Sequence, residues 1–218
     1  VANDSVALSG GTANFTDKNV ANNKTVILIG ATLTGNDATN YVLDSVANAT
    51  ANITALAITG NFTASNKVYD GTTAANVTGR FLAGSVGGDD VSLTGGTANF
   101  TDKNVANNKT VILTGATLTG NDALNYSLTS VANTTANITA LHITGNFTAS
   151  NKVYDATTTA NVTGRFLAGA VANDSVALSG GTANFTDKNV ANNKTVILIG
   201  ATLTGDRKST RLNSSHRT

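Results

Sequence analysis

The sequence predicts an all-β protein made of tandem small antiparallel β-sandwich modules of the immunoglobulin-like kind. Three observations predict it: the composition, a period-two alternation of apolar and polar residues, and an 85-residue internal repeat. The chain contains no Glu, Met, Pro, Cys or Trp, every acidic residue is Asp, and Thr, Asn, Ala, Gly and Val dominate. That mixture lacks most of the good helix formers and suits strands and turns.

Shifting the chain by 85 residues aligns 1–85 with 86–170 at 71 identical positions, and 171–205 repeats 1–35 without a difference. A period of this length exceeds one coil of a solenoid and fits a compact domain strung as a bead. The phase taken here gives 1–57 as the C-terminal part of a truncated module and 58–142 as a complete one. Residues 143–205 then form the N-terminal part of another, and 206–218 a non-native, disordered tail. The chain opens in mid-repeat and is read as a fragment.

The elements follow from the pattern. In "ANFTD" Phe15 faces one way and Asn14 and Thr16 the other. Ile53 between Asn52 and Thr54, Phe62 between Asn61 and Thr63, and Val77 between Asn76 and Thr78 repeat the arrangement, the mark of half-buried strands. In "KTVILIGATLTG" Val26 and Leu28 share a parity that Ala31 and Leu33 reverse, so Gly30 is expected at a bulge that resets the inward face. "SGG" (9–11), "DKNVANNK" (17–24), "GND" (35–37) and "GGDD" (87–90) read as turns or loops. Six or seven strands per module result, around a thin core that buries about 60% of the unfolded surface.

Four blocks stand in order in the middle of the chain: "NKVYDGTTAANVTG" (66–79), "VGGDDVSLTGGTANFTDKNV" (86–105), "KTVILTGATLTGNDALNYSL" (109–128) and "TTANITAL" (134–141). Together they resemble the YDG-type repeat of large bacterial surface and secreted proteins, among them filamentous-haemagglutinin-like adhesins. The resemblance covers essentially all of 1–205. It implies an extracellular, outer-surface array in which non-catalytic modules form a stalk or spacer projecting a distal binding region. Neighbouring repeats are then the implied partners, with a host surface or glycan beyond them. The second copy carries Ala156 where the first has Gly71. Either the position does not need a positive φ, or the second copy is strained there by roughly 1 to 2 kcal/mol.

Chemistry-bearing residues are sparse. The histidines are His142, matched by Ala57 in the other copy, and His216, so no nucleophilic or paired-carboxylate machinery assembles from the pattern and no enzyme is expected. No cofactor is implied either. Asp89, Asp90, Asp102 and Asp122 are candidate calcium ligands, hard oxygens on loops, although no spacing matches an EF-hand or a Gly-Asp nonapeptide. The bland reading gives them to turns. Asn-x-Thr triplets arise from alternation, and Tyr69 and Tyr154 are expected with the ring inside and the hydroxyl at the rim. Two alternatives to the stalk remain at this point: a ligand-binding module for host glycan or calcium, and a β-solenoid segment.

The net charge of +1 depends on the tail, since 1–205 holds ten basic and twelve acidic side chains. "DRKSTRLNSSH" (206–216) resembles a translated sequencing-library adapter, and no nucleic-acid-binding arm is inferred from it. No apolar run approaches the ~20 residues of a membrane span, so no membrane insertion is expected in this stretch.

Overall fold

The computed structural model describes residues 3–205; the reading of 206–218 as a disordered tail lies outside them. Strands β1 (Ala7–Phe15), β2 (Ala21–Thr34) and β3 (Ala49–Ile53) form one sheet in that order. The next strands are β4 (Leu56–Ala64), β5 (Lys67–Val68), β6 (Val77–Ala83), β7 (Ser92–Phe100), β8 (Ala106–Thr119), β9 (Tyr126–Val131) and β10 (Thr134–Thr139). They make two sheets, β6-β4-β9 and β5-β10-β8-β7. Beyond them β11 (Thr144–Ala149) pairs with β12 (Val162–Ala168), and β13 (Val176–Phe185) with β14 (Val196–Gly205). Single 3₁₀ turns lie at Ala38–Asn40 and Ala123–Asn125, and no α-helix occurs among the described residues.

The all-β, tandem-module reading holds, with seven strands between residues 56 and 139 in sheets of three and four rather than the rungs of a solenoid. Not every pair is antiparallel. β4 runs parallel to β9 and β5 parallel to β10. Strands that open the stretch thus pair with strands that close it, which local alternation cannot announce because the partners lie about 70 residues apart.

The chain divides into two compact units. One holds Val1–Phe62, Gly79–Thr97 and Leu113–Ala132; the other holds Thr63–Thr78, Ala98–Ile112 and the chain from Asn133 onward. In the first, a Cβ built on Gly60 of β4 would stand 2.9 Å from Leu93 of β7, so the two sheets meet with only a glycine's clearance. In the second, Ile138 and Ala136 of β10 are 1% and 5% exposed, beside buried Val111 and Phe100. Ile58, Phe62, Leu113 and Tyr126 are the other large buried apolar side chains among the described residues.

The phase reset at Gly30 is observed, by a different device. Pairing of β1 with β2 keeps one register through Gly10↔Ala31 and Thr12↔Ile29, so no extra residue is inserted. Instead Gly10, Gly11 and Gly30 all adopt positive φ, and both strands switch faces together. A Cβ on Gly11 would lie 3.1 Å from the Ala31 nitrogen and the Ile29 oxygen, so only glycine fits. "SGG" is therefore part of β1 and not a turn, and "DKNVANNK" is a loop only as far as Val20, β2 beginning at Ala21. The copies also differ in burial: Phe100 is buried, whereas its first-copy counterpart Phe15 is 40% exposed.

Gly71 has φ +79° and Ala156 has φ +64°. The position does require the left-handed region, and the second copy carries the strain. Ala156→Gly is expected to stabilise the chain by about 1 kcal/mol, read as a raised denaturant midpoint. Ile138→Ala should cost roughly 2 to 4 kcal/mol, while Leu124→Ala, at an 89% exposed position, should stay within about 0.5 kcal/mol.

Candidate functional site

The loop that carries "KVYDG" is built around one ammonium group. Lys67 Nζ lies 2.7 Å from Asp70 Oδ1, donates to the Thr72 carbonyl at 2.9 Å, Thr72 Oγ1 at 3.0 Å and the Ala74 carbonyl at 3.0 Å, and sits 5.8 Å above the centre of the Phe100 ring. Asp70 accepts the Thr72 amide at 2.9 Å on the same oxygen, closing an Asx turn. The Lys67 ammonium and then the Thr72 amide hold the Asp70 carboxyl down at about 2. Lys152 repeats the arrangement with Asp155, the Thr157 carbonyl and hydroxyl, the Thr159 carbonyl and the Phe185 ring. Asp155 likewise falls to about 2, through Lys152 first and the Thr157 amide second.

This staple aims the two residues beside Asp70 at the following copy. The Tyr69 hydroxyl donates to Asp174 Oδ2 at 2.7 Å, and Lys103 Nζ binds Asp174 Oδ1 at 3.0 Å while lying 5.8 Å above the Tyr69 ring. A Cβ on Gly71 would stand 2.8 Å from Val171 Cγ1, so the glycine also makes room for the next repeat. Tyr69 and then Lys103 lower the Asp174 carboxyl, and Lys103 is raised in return by Asp174. Burial first, and then Asp174, raises the Tyr69 phenol. The half-buried Tyr69 fits its expectation, but Tyr154 is 55% exposed.

The other unit contains the lysine–aspartate part of this contact one period earlier, with a tyrosine of Asp89's own copy on the second oxygen. Lys18 Nζ binds Asp89 Oδ1 at 2.6 Å and Asp122 Oδ1 at 3.1 Å, and the Tyr126 hydroxyl donates to Asp89 Oδ2 at 2.6 Å. The Val20 amide donates to Asn125 Oδ1 at 2.9 Å. Lys18, Val20, Asp89, Asn125 and Tyr126, with Ile53, Thr54, Leu56 and Val86, line a cleft of about 320 Å³. Lys18 and then Tyr126 lower the Asp89 carboxyl, while Asp89 and then Asp122 raise Lys18. Lys18 and Lys103 are equivalent by the period, as are Asp89 and Asp174, so both lysines reach an aspartate 71 residues ahead.

The four calcium candidates are placed as follows. Asp89 and Asp122 converge, and the cation between them is the Lys18 ammonium. Asp90 and Asp122 lock two loops: Asp122 Oδ2 accepts the Asp90 amide at 2.9 Å, and Asp90 Oδ2 accepts the Asn121 amide at 3.0 Å. A Cβ on Gly120 would stand 2.2 Å from the Asp90 carbonyl oxygen, which explains the glycine of "GND". Asp102 is apart, bound to Lys109 at 2.7 Å and to the Asn104 amide at 2.7 Å. No group of three or more metal-ligating side chains gathers among the described residues. Sequence reasoning missed Lys18, Lys103, Tyr126 and Asp174, since alternation reports a strand's faces and not which loop of the next repeat a loop meets.

The profile of the YDG domain family matches three consecutive segments, residues 1–51, 50–136 and 134–209. No curated protein and no solved structure matches the chain.

A carboxyl group whose folded pKa lies below its unfolded value, near 3.9, stabilises the fold above that value and loses the contribution as pH falls toward the folded value. Asp70, Asp155, Asp89 and Asp174 are all lowered. The melting temperature is therefore expected to hold from about pH 7 to 5 and to fall between roughly pH 4 and 2, the more steeply at low ionic strength. Because lysine supplies the positive charge between Asp89 and Asp122, EDTA followed by added calcium should leave that melting temperature unchanged.

Proposed function

The chain belongs to the YDG domain family, and on that premise we propose that it is a non-catalytic spacer: a stretch of stalk from a large bacterial cell-surface adhesin, in which coupled repeats project a distal binding region. The observation that carries this reading is the reach of the family's own motif. Tyr69 and Gly71 both touch the copy that follows, at Asp174 and Val171. A repeat whose signature residues hold its neighbour is suited to transmitting position along an array. One built only for a ligand would have no use for that contact.

The chemistry of the junction supports the same role. Its charges are paired, its tyrosine hydroxyls are spent on aspartates, and the Lys18 and Lys103 contacts recur at the same spacing. Residues 58–142 are the complete module in this proposal, its partners are the neighbouring repeats, and its setting is the outer surface of the cell.

Chains carrying one to four repeats provide the test by small-angle scattering. The maximum particle dimension should grow by a constant increment of roughly 30 to 40 Å per repeat, the extent of a small sandwich. A dimension that stops growing after the second repeat would contradict a spacer.

A further inference from the structure

We propose that the complete repeat resists tension: pulled along the chain, it meets the force by shearing two parallel strand pairs rather than by peeling strands apart. Such a role deepens the stalk reading and rests on it, since a stalk is drawn out along its own chain whenever its far end is held.

The device lies in which strands pair. β4 runs parallel to β9, with Leu56↔Tyr126, Ile58↔Leu128 and Gly60↔Val131. β5 runs parallel to β10, with Ile138↔Lys67 and Thr139↔Val68. Tension along the chain draws the earlier strand of each pair toward its own start and the later strand toward its own end. Between parallel strands those pulls oppose one another along a common axis, so the evenly spaced bonds of the ladder are strained together. In an antiparallel pair joined in sequence both chain ends leave from one side, and the same pull breaks the bonds in turn. β1 with β2 and β13 with β14 are pairs of that second kind.

Each parallel pair is reinforced where its ladder is weakest. The register of β4 on β9 shifts between Ile58 and Thr59, and there the Thr129 hydroxyl donates to the Ile58 carbonyl at 3.0 Å. The Ala132 amide donates to the Gly60 carbonyl at 2.8 Å just past the end of β9. Ile58 and Tyr126 are buried, so water is kept from that stretch.

β5 is only two residues long, and side chains lengthen its grip on β10. The Asn137 amide donates to Asn66 Oδ1 at 2.7 Å before the pair, and the Tyr69 amide donates to the Thr139 carbonyl at 2.8 Å after it. Asn137 Oδ1 in turn accepts the Asn108 amide at 2.8 Å, which ties β10 to β8 as well. The Lys67 ammonium holds the Thr72 and Ala74 carbonyls, so β5 cannot slide without breaking those contacts too. β4 as far as Phe62 and β9 lie in the first compact unit, β5 and β10 in the second, so each clamp is complete in itself.

The test is single-molecule pulling of the full chain. The sequence contains no cysteine, so introduced cysteines are unique handles. Ala55→Cys with Ala132→Cys pulls β4 at its start and β9 at its end, and shears their ladder. Ala55→Cys with Leu124→Cys pulls both strands from their starts, and peels it. All three positions are exposed. Forced unfolding follows the barrier and not the equilibrium stability, so the first geometry is expected to need at least about twofold the force of the second, with denaturant midpoints alike. Held by its two ends, the unsubstituted chain should show one high-force event releasing roughly 250 Å, the contour of one repeat less its folded extent. Equal forces in the two directions, or unfolding of 56–139 with no resolvable force event, would overturn the clamp. The scattering series reports on the stalk alone and the force ratio on the clamp alone, so a failure of either is told from a failure of the other.

Discussion

The Lys67 ammonium ties together the core, the sheet and the junction. Its side chain is 16% exposed, so a charge is held at the edge of the interior and must be surrounded by acceptors. The chain supplies the Asp70 carboxylate, two carbonyls and a hydroxyl from the seven residues that follow it, with the Phe100 ring beneath. Satisfying one cation thus folds the loop, fixes β5 beside β10, and leaves Tyr69 and Gly71 facing the next copy. Methionine in place of Lys67 would keep much of the bulk and remove every one of these constraints.

The junction resolves a tension in the composition. A module with so few large apolar side chains has little hydrophobic surface to spend on holding its neighbour. Successive copies meet instead through a carboxylate that takes the lysine of the copy before it: Asp89 takes Lys18, and Asp174 takes Lys103. The tyrosines on these carboxylates differ, Tyr126 belonging to the same copy as Asp89 and Tyr69 to the copy before Asp174. Exposed ion pairs of this kind contribute little singly, so geometric specificity matters more than strength. The lysine–aspartate pair is the part of the contact that recurs, each time over 71 residues.

Much of this was legible in the sequence, and the reasons for the rest are physical. Alternation located the inward Phe62, and the parity change at Gly30 located the switch of faces, because strand periodicity is local. "SGG" was misread because a glycine pair that lets two strands turn over together looks the same in sequence as a hairpin turn. The parallel pairings of β4 with β9 and β5 with β10 depend on residues about 70 positions apart. Asp89 and Asp122 look like cation ligands from sequence, and they do hold a cation, but it is a lysine of the preceding copy. The Ala156 substitution posed the right question about Gly71, and the answer needed both its φ and the position of Val171.

That the family's motif joins one repeat to the next can be measured with a double-mutant cycle on the full chain, using Tyr69→Phe, Asp174→Asn and the pair, read by denaturant unfolding. The account predicts that the two changes are coupled by about 0.5 to 2 kcal/mol, the double variant losing less than the sum of the singles. Costs that add to within about 0.3 kcal/mol would show that the hydroxyl and the carboxylate act separately, and would contradict the junction.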